Sequence, residues 1–349
     1  MNIPIARTNL TEAEINSVLE PLESGWLVQG PKVREFEEKW SNFTKAKHSI
    51  AVTSCTSGLH LSLAASGFGP GDEAIVPAFT WISTANVVEH LGGKVVFCDI
   101  DLDTFNIDVE QIESKITSKT KAIFPVHLFG LSADMNPILD LARKYNLFVV
   151  EDAACGFGSK YKGKHAGTLG DTGCFSFHPR KAITTGEGGM VTTNDDALAE
   201  KIRRLRDHGA AVTDLQRHLG ARPYLLADHP DAGYNQRMTD LQGALGSAQM
   251  DRAKEIVLER QNLAQRYDEA FAELDWLRTP FKHTDYEHGY QSYPCLFMPR
   301  EVSPSSTEKI NSKRNEWMDD LQKKGISTRP ATHAVHMLSF YREKYELNP

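Results

Sequence analysis

The sequence has few cysteines, and their spacing argues against two common kinds of site. Five occur among 349 residues, and no two of them form a C-x-x-C pair: Cys55, Cys98, Cys155, Cys174 and Cys295. An odd number without paired spacing argues against a disulfide framework and against a zinc site built on cysteine. The cysteines therefore favour reduced thiols, as in a cytoplasmic protein.

The sequence also lacks long apolar runs and an excess of basic residues. No stretch approaches the length needed to span a bilayer, and residues 1–7 lack the apolar core of a signal peptide. The 39 basic and 46 acidic residues give a net charge of −7, which argues against a general nucleic-acid binder. We therefore expect a cytoplasmic protein without membrane or nucleic-acid partners, and its length suits a large domain plus a smaller one.

Short apolar runs alternate with amphipathic helical patterns between about residues 48 and 193. Near-continuous hydrophobic strands between helices are typical of a mostly parallel sheet that is covered on both faces. The sequence predicts seven strands: Ser49–Val52, Ala74–Val76, Lys94–Asp99, Ala122–Val126, Leu147–Glu151, Thr172–Phe177 and Met190–Thr193.

The pattern changes near residue 240. Leu241–Ala272 is a long helical pattern with few breakers, which is typical of a helix that links two domains. Farther on, the sequence predicts a strand over Tyr290–Met298, a helix over Glu308–Lys324 and the start of a strand over Gly325–Arg329. We expect a large domain with an N-terminal arm over residues 1–240, and a linker helix with a small α+β domain over residues 241–349.

One lysine stands at the end of an apolar run and before a glycine-rich segment. This is Lys181, the last residue of Ser176–Lys181. A lysine amine attacks an aldehyde only after losing its proton, and partial burial or a nearby positive charge lowers its pKa enough for that. Upstream, Leu147–Ala154 is predicted to be a buried strand that ends in a carboxylate, Asp152. Such a lysine and aspartate are the pair that a pyridoxal phosphate (PLP) enzyme needs, although a solvated lysine and a helix-capping aspartate are the commoner roles.

The segment Ser54–Leu59 has the features of an anion site. Hydroxyls and free backbone N–H groups meet there at a predicted helix N-terminus, where the helix dipole also favours phosphate. Thr56 is the best candidate contact, with backbone help from Cys55 and Ser57, and Ser176 would add a second hydroxyl. Each of these residues alone could instead serve only as a helix cap.

The whole chain resembles the DegT/DnrJ family of PLP-dependent sugar aminotransferases. The resemblance extends from Gly25–Pro31 to Gly325–Pro330. It implies PLP as cofactor and the fold-type-I architecture of PLP enzymes, an α/β fold in which a large domain with a mostly parallel seven-stranded sheet precedes a smaller α+β domain. Its motifs occur in the family's order: Val76–Trp81, Pro125–Gly130, Glu151–Ala154, the Lys181 segment and Gly233–Met238.

The resemblance also implies roles for single residues. Lys181 would hold the cofactor aldehyde and move a proton, and Asp152 would pair with the ring nitrogen. Trp81 stands where the family has an aromatic that stacks on the cofactor ring, although an isolated Trp is more often a core residue. Asn235 stands where a residue reaches the cofactor phosphate of the neighbouring subunit. The candidate substrate contacts are Trp26, His178, Arg237 and His333.

The chain departs from the family at Cys155, where the family more often has His, Gln or Glu near the cofactor. We place Cys155 at the cofactor, and a small buried apolar role stays open. His333 and His336 could share a helix face, but no third metal ligand is evident, so we favour substrate or interface roles and expect no metal. The small domain over residues 241–349 also looks truncated, because family members usually continue.

We therefore expect transfer of an amino group, from glutamate, to a keto carbon of a nucleotide-linked deoxysugar. The resemblance implies a homodimer with shared active sites, whose product would enter a polysaccharide, a lipopolysaccharide or a glycosylated natural product. A PLP-dependent sugar dehydratase of the same fold is an alternative, although relatives with that activity replace the lysine by histidine. A non-catalytic PLP-binding regulator is a second alternative.

Overall fold

A seven-stranded sheet lies at the centre of the protein. The computed structural model describes residues 2–212, 226–298, 303 and 305–347, so parts of both predicted domains, including residues 348–349, lie outside the described residues. The strands of the sheet are β1 His48–Val52, β2 Glu73–Pro77, β3 Lys94–Cys98, β4 Thr120–Ile123, β5 Phe148–Asp152, β6 Thr172–Ser176 and β7 Gly189–Thr193.

The sheet is mixed but mostly parallel. Its strand order is β1-β7-β6-β5-β4-β2-β3. The pairs from β6 to β3 are parallel, whereas β7 runs antiparallel to both β1 and β6. Each of the seven predicted strands is confirmed within a few residues at its ends. The predicted α/β class is confirmed too, and every residue of β2 and β7 is buried, as expected for strands covered on both faces.

Helices cover both faces of the sheet. Val150 packs in one core cluster with Leu59 and Val87 from helices on its face, whereas its neighbour Val149 packs in another cluster with Ile138. This alternation follows from the two-residue period of a strand. The helices before residue 213 are α1 Glu12–Ser17, α2 Leu19–Ser24, α3 Pro31–Thr44, α4 Cys55–Ala65, α5 Ser83–His90, α6 Val109–Lys115, α7 Met135–Tyr145 and α8 Asp196–Arg206.

The single long helix predicted over Leu241–Ala272 is wrong. Two helices occupy this range, α9 Asp240–Met250 and α10 Ala253–Phe271. Helix α9 packs closely against α3. A Cβ at Gly246 would lie 2.6 Å from the Phe36 ring, so the absence of a side chain at Gly246 permits this packing. The chain turns between the two helices, and the start of α10 then packs against the same core cluster as α3, through Ala253 and Val257.

The segments after α10 differ from the predictions in detail. The predicted helix is confirmed as α11 Thr307–Lys323, but the strand predicted over Tyr290–Met298 is only Leu296–Phe297, paired with Leu277–Arg278. The strand predicted over Gly325–Arg329 is also wrong, because Ile326 makes only an isolated bridge with Ile3. No helix in the described part of the chain is long and apolar enough to cross a membrane.

The last described residues return to the large domain. His333–Ala334 pairs with Phe79–Thr80, and α12 Ser339–Lys344 follows. The Tyr341 hydroxyl donates to Asn86 Oδ1 at 2.7 Å, and the Tyr341 ring is buried in the same core cluster as Val87. This return places His333 next to the loop at the end of the short 79–80 strand. The domain boundary at residue 240 stays a prediction.

Candidate active site

Asp152 is the last residue of β5, and its side chain is only 5% exposed. The Thr84 hydroxyl donates to Asp152 Oδ2 at 2.6 Å, and the Ala154 N–H donates to Oδ1 at 3.1 Å. The Cys55 sulfur lies 4.0 Å from the same Oδ1. A carboxylate has about four acceptor positions, so two donors orient Asp152 and leave acceptor capacity for a ligand.

Lys181 lies in the loop that follows β6. The backbone N–H of Lys181 donates to the His178 carbonyl oxygen at 2.8 Å. The backbone N–H of Arg180 donates to His178 Nδ1 at 3.2 Å, and these two hydrogen bonds close a tight turn. The Lys181 amine reaches the Cys155 sulfur, with Nζ and Sγ 3.2 Å apart. The structure therefore brings Lys181 and Cys155 into direct contact.

The electrostatics of Lys181 differ from the expectation. Burial lowers the pKa of its amine, but interactions with Cys155, and then with Cys55 and Asp152, outweigh burial and raise the pKa above its ordinary value. The lowered pKa expected from the sequence is therefore not found. The physical reason is that the groups around the amine are acids rather than cations.

The predicted anion site is the N-terminal turn of α4. Ser54 caps the helix, and its hydroxyl accepts from the Ser57 N–H at 3.1 Å. Cys55 is the first helical residue and does not have a positive φ, so it stands where the family has a glycine without backbone strain. Thr56 is one residue farther along, and its hydroxyl donates to Ser83 Oγ at 2.9 Å. The Ser57 N–H is therefore already hydrogen-bonded to Ser54, and the Thr56 side chain is hydrogen-bonded to the first residue of α5.

Trp81 and His333 meet at the open side of this group. The Trp81 side chain is 59% exposed, and its ring centroid lies 5.3 Å from that of His333 in an edge-on contact. Ser176 ends β6 and lines a small cavity together with Lys181. The exposed indole offers a flat surface on which a ring can stack.

The remaining predicted residues have contacts of their own. Asn235 is exposed in a short strip, residues 235–237, that lies beside the end of β1. There the Thr53 N–H donates to the Gln236 carbonyl oxygen at 3.1 Å. Arg237, in the same strip, forms an ion pair with the buried Asp207. Trp26 lies in the loop before α3, where its Nε1 donates to the Gln29 carbonyl oxygen at 3.4 Å. Their roles toward cofactor and substrate stay predictions.

Sequence reasoning missed three residues that hold this group. Thr84 fixes Asp152, and its one available signal was a hydroxyl in the first turn of α5, three residues after Trp81. Gln291 donates from Nε2 to the carbonyl oxygen of Arg180 at 2.6 Å, and Arg260 donates to the Tyr290 carbonyl oxygen at 3.0 Å. The Gln291 and Arg260 contacts had no sequence signal, because they join segments that are distant in the chain.

The neighbouring carboxylate, Glu151, is part of a closed buried network. Its Oε2 accepts from the ring of His127 and from the Gly167 N–H, both at 2.7 Å. Its Oε1 accepts from the N–H groups of Leu169 at 2.7 Å and Gly170 at 2.6 Å. His127 Nδ1 accepts from a backbone N–H at 3.1 Å, so the ring donates through Nε2. Glu151 therefore joins the loop of His127 to the loop of Gly167–Gly170, and its acceptor positions are filled.

The residues around Asp152 fit PLP in the chemistry that they offer. Lys181 supplies an amine for the aldehyde, Asp152 an oriented carboxylate for the ring nitrogen, and the first turn of α4 hydroxyls and N–H groups for the phosphate. In the ranges that the structure describes, no group of three or more His, Cys, Asp or Glu residues is placed to hold a metal ion.

Comparison with known proteins agrees with this chemistry. The model of the DegT/DnrJ/EryC1/StrS aminotransferase family matches residues 8–349. GDP-perosamine synthase from Caulobacter vibrioides is 40% identical over 97% of this chain and 86% of its own length.

Solved structures give the same result. PseC from Helicobacter pylori, an aminotransferase involved in the biosynthesis of pseudoaminic acid, superposes with a TM-score of 0.90 at 28% identity, over 100% of this chain and 90% of PseC. Spr1654 from Streptococcus pneumoniae in its PLP form superposes with a TM-score of 0.88 at 30% identity, over 99% of this chain and 88% of Spr1654. The chain therefore belongs to the DegT/DnrJ/EryC1/StrS aminotransferase family and is a PLP-dependent sugar aminotransferase.

Proposed function

We propose that this enzyme transfers an amino group from glutamate to a keto carbon of a nucleotide-linked deoxysugar. The observation that carries the proposal is the group formed by Lys181, Cys155 and Asp152 at the ends of two neighbouring strands, with an exposed aromatic at its open side. Support for a nucleotide-linked sugar comes from the similarity to GDP-perosamine synthase over nearly the whole chain. The compartment that we propose is the cytoplasm, and the product would enter a surface polysaccharide, a lipopolysaccharide or a glycosylated natural product.

Each residue of the site has a separate role in the proposed reaction. PLP, when bound, supplies the electron sink that stabilises negative charge at the substrate carbon. Lys181 would hold the cofactor, and its amine would take a proton from the donor carbon and deliver one to the sugar carbon, which is general acid–base catalysis. Asp152 keeps a proton on the ring nitrogen, and Thr84 fixes the direction of that carboxylate. The N-terminal turn of α4, with Thr56, binds the phosphate.

The sugar and its nucleotide lie against the open side of the group in this proposal. Trp81, which would stack on the cofactor ring, contacts the exposed His333 there, and we assign His333 to the substrate. His178 belongs to the turn that carries Lys181, and we place Trp26 and Arg237 at the outer edge of the substrate site. Aromatic side chains with polar atoms suit a sugar nucleotide, because they combine stacking surface with hydrogen bonds.

A panel of ketosugars linked to UDP, dTDP and GDP, assayed with glutamate, tests the substrate class. We expect one of them to gain an amino group while glutamate becomes 2-oxoglutarate. The Lys181→Ala variant is the matched control and is expected to give no product. A product that has lost water and gained no nitrogen would instead assign the enzyme to the sugar dehydratases. Amino transfer to simple keto acids alone would contradict the sugar assignment.

We also propose that the working unit is a homodimer in which Asn235 reaches the cofactor phosphate of the other subunit. Asn235 is exposed in the strip beside β1, where a second chain can be reached. Lys181→Ala and Asn235→Asp would damage opposite halves of one shared site, because the aspartate places a like charge beside a phosphate.

Mixing the two variants tests this arrangement. Heterodimers would contain one site with both changes and one site with neither, so activity is expected to rise above that of either variant alone. A size measurement on differently tagged chains verifies that subunits have exchanged. If they have exchanged and activity stays at the level of the separate variants, Asn235 does not serve the partner's site.

A further inference from the structure

The Cys155 thiol makes a direct contact with the amine on which this chemistry depends. Its sulfur lies 3.2 Å from Lys181 Nζ, and Cys155 is partly buried rather than part of the closed core. The contact joins the loop that follows β5 to the loop that follows β6. A thiol ionises at a pH that is accessible to proteins and can then pair with an ammonium group, which a buried apolar residue cannot do.

Other titratable groups lie near this pair on the neighbouring elements. Asp152 from β5 and Cys55 from α4 both act on the Lys181 amine, and Arg260 from α10 acts on Cys155. Burial of Cys55 raises the pKa of its thiol well above the ordinary value, so Cys55 is a neutral group near neutral pH. Of the two thiols near Lys181, Cys155 is the one whose sulfur contacts Nζ directly, whereas the Cys55 sulfur lies 3.4 Å from the Cys174 carbonyl oxygen.

We propose that Cys155 is a positioning residue that pairs with Lys181 as an ionisable partner and sets the pH at which the lysine amine becomes neutral. The pair holds Nζ at the end of β5 and retains its proton while the amine is not bonded to the cofactor. This inference rests on the proposed attachment of PLP to Lys181.

Cofactor uptake by the cofactor-free full-length chain tests the inference without any sugar or amino donor. Only the neutral amine attacks the PLP aldehyde, so the rate of uptake against pH has a midpoint that reports the pKa of Lys181. The variants are Cys155→Ala and Cys155→Ser, since a serine hydroxyl does not ionise in this range. Cys295→Ala is the matched control, because it removes an exposed thiol outside the Lys181 group.

Both Cys155 variants are expected to move the midpoint down by about one pH unit, while Cys295→Ala leaves it unchanged. Below the midpoint, uptake would then be about tenfold faster than in the parent protein. If one variant does not fold, the midpoint of the other decides. Midpoints equal to that of the parent in the folded Cys155 variants would overturn the inference.

Borohydride reduction and mass spectrometry at the end of each run separate the two possible failures. If the cofactor is on Lys181 and the midpoints are equal, only the role of Cys155 is wrong. If the cofactor is on a different lysine, the attachment site itself is wrong, and the role of Cys155 is wrong with it.

Discussion

Glu151 and Asp152 are neighbours at the end of β5, yet their side chains lie in opposite kinds of environment. Successive side chains of a strand point to opposite faces of the sheet. On one face, Glu151 accepts four hydrogen bonds, from His127 and three backbone N–H groups. On the other face, Asp152 accepts two and lies near Cys55. We call these the Glu151 face and the Asp152 face.

The difference shows how one strand end serves both structure and chemistry. A carboxylate whose acceptor positions are all filled stabilises the loops that donate to it, and it has no capacity left to bind a ligand. A carboxylate that is oriented but not filled can accept a further N–H. Substitutions on the Glu151 face should therefore change stability, and substitutions on the Asp152 face should change catalysis.

Asp152→Asn should have the largest effect. A neutral amide does not hold a proton on the ring nitrogen, so we expect amino transfer to fall about 1,000-fold, which corresponds to about 4 kcal/mol of activation free energy. The cofactor should still bind, and the temperature of unfolding should stay within a few degrees. Single-turnover rates with the amino donor and thermal unfolding are the two measurements. Near-normal turnover would mean that a different carboxylate serves the ring nitrogen.

Glu151→Gln should give the opposite result, and it is the matched control for Asp152→Asn. The side-chain NH₂ of glutamine would face buried N–H donors, and each unsatisfied donor costs about 1–3 kcal/mol. We expect the free energy of unfolding to fall by about 3 kcal/mol, measured in urea, while the folded enzyme keeps its activity within a few-fold. A thousandfold loss of activity in a stable Glu151→Gln protein would break the comparison between the two faces.

His165 is a buried histidine that interacts with Glu151, and it should make the stability of the protein sensitive to acid. Burial lowers the pKa of His165 to about 4, while the unfolded chain has a histidine of ordinary pKa. Below its ordinary pKa the unfolded histidine binds a proton that the folded one does not, so stability falls as pH falls from about 6.5 to 4, by on the order of 3 kcal/mol.

Unfolding free energies across this range test the role of His165. His165→Gln should weaken the dependence of the unfolding free energy on pH. An equally steep fall in the His165→Gln protein would assign the acid sensitivity to other groups.

Thr84→Val should have the smallest effect of the four and should again be confined to catalysis. Valine is close to threonine in shape but does not donate to Asp152 Oδ2. A hydrogen bond to a charged group contributes about 1.5–3 kcal/mol, and the lower end corresponds to a roughly tenfold slower reaction. Rates measured with Thr84→Ser, which keeps the hydroxyl, should stay near those of the parent. If Thr84→Val and Thr84→Ser react equally fast, the hydroxyl does not orient Asp152 for catalysis.

The sequence was sufficient to predict the central sheet, because buried parallel strands are short apolar runs separated by amphipathic helices. It was not sufficient for the region after residue 240. Leu241–Ala272 has no proline, and its two glycines, Gly243 and Gly246, lie within α9 against α3 rather than at the turn between α9 and α10. Two-residue strands such as Leu296–Phe297 have too little pattern to be predicted.

Within the active site, the sequence indicated which residues matter but not how they touch. Lys181 and Asp152 stand out because each follows a predicted strand. The contact between Lys181 and Cys155 spans 26 residues, and that between Gln291 and Arg180 spans 111, so both depend on tertiary packing. The raised pKa of Lys181 was missed for the same reason, because the acids that surround it come from separate elements.

The central claim is that the Asp152 face holds PLP through Lys181, and one measurement tests it most directly. The purified enzyme is reduced with borohydride and digested, and the modified peptide is sequenced by mass spectrometry. The account predicts that the cofactor mass is found on Lys181 and that the Lys181→Ala protein, folded to the same extent, has no modified peptide. Cofactor on any other lysine, or a label that persists in Lys181→Ala, would contradict the account.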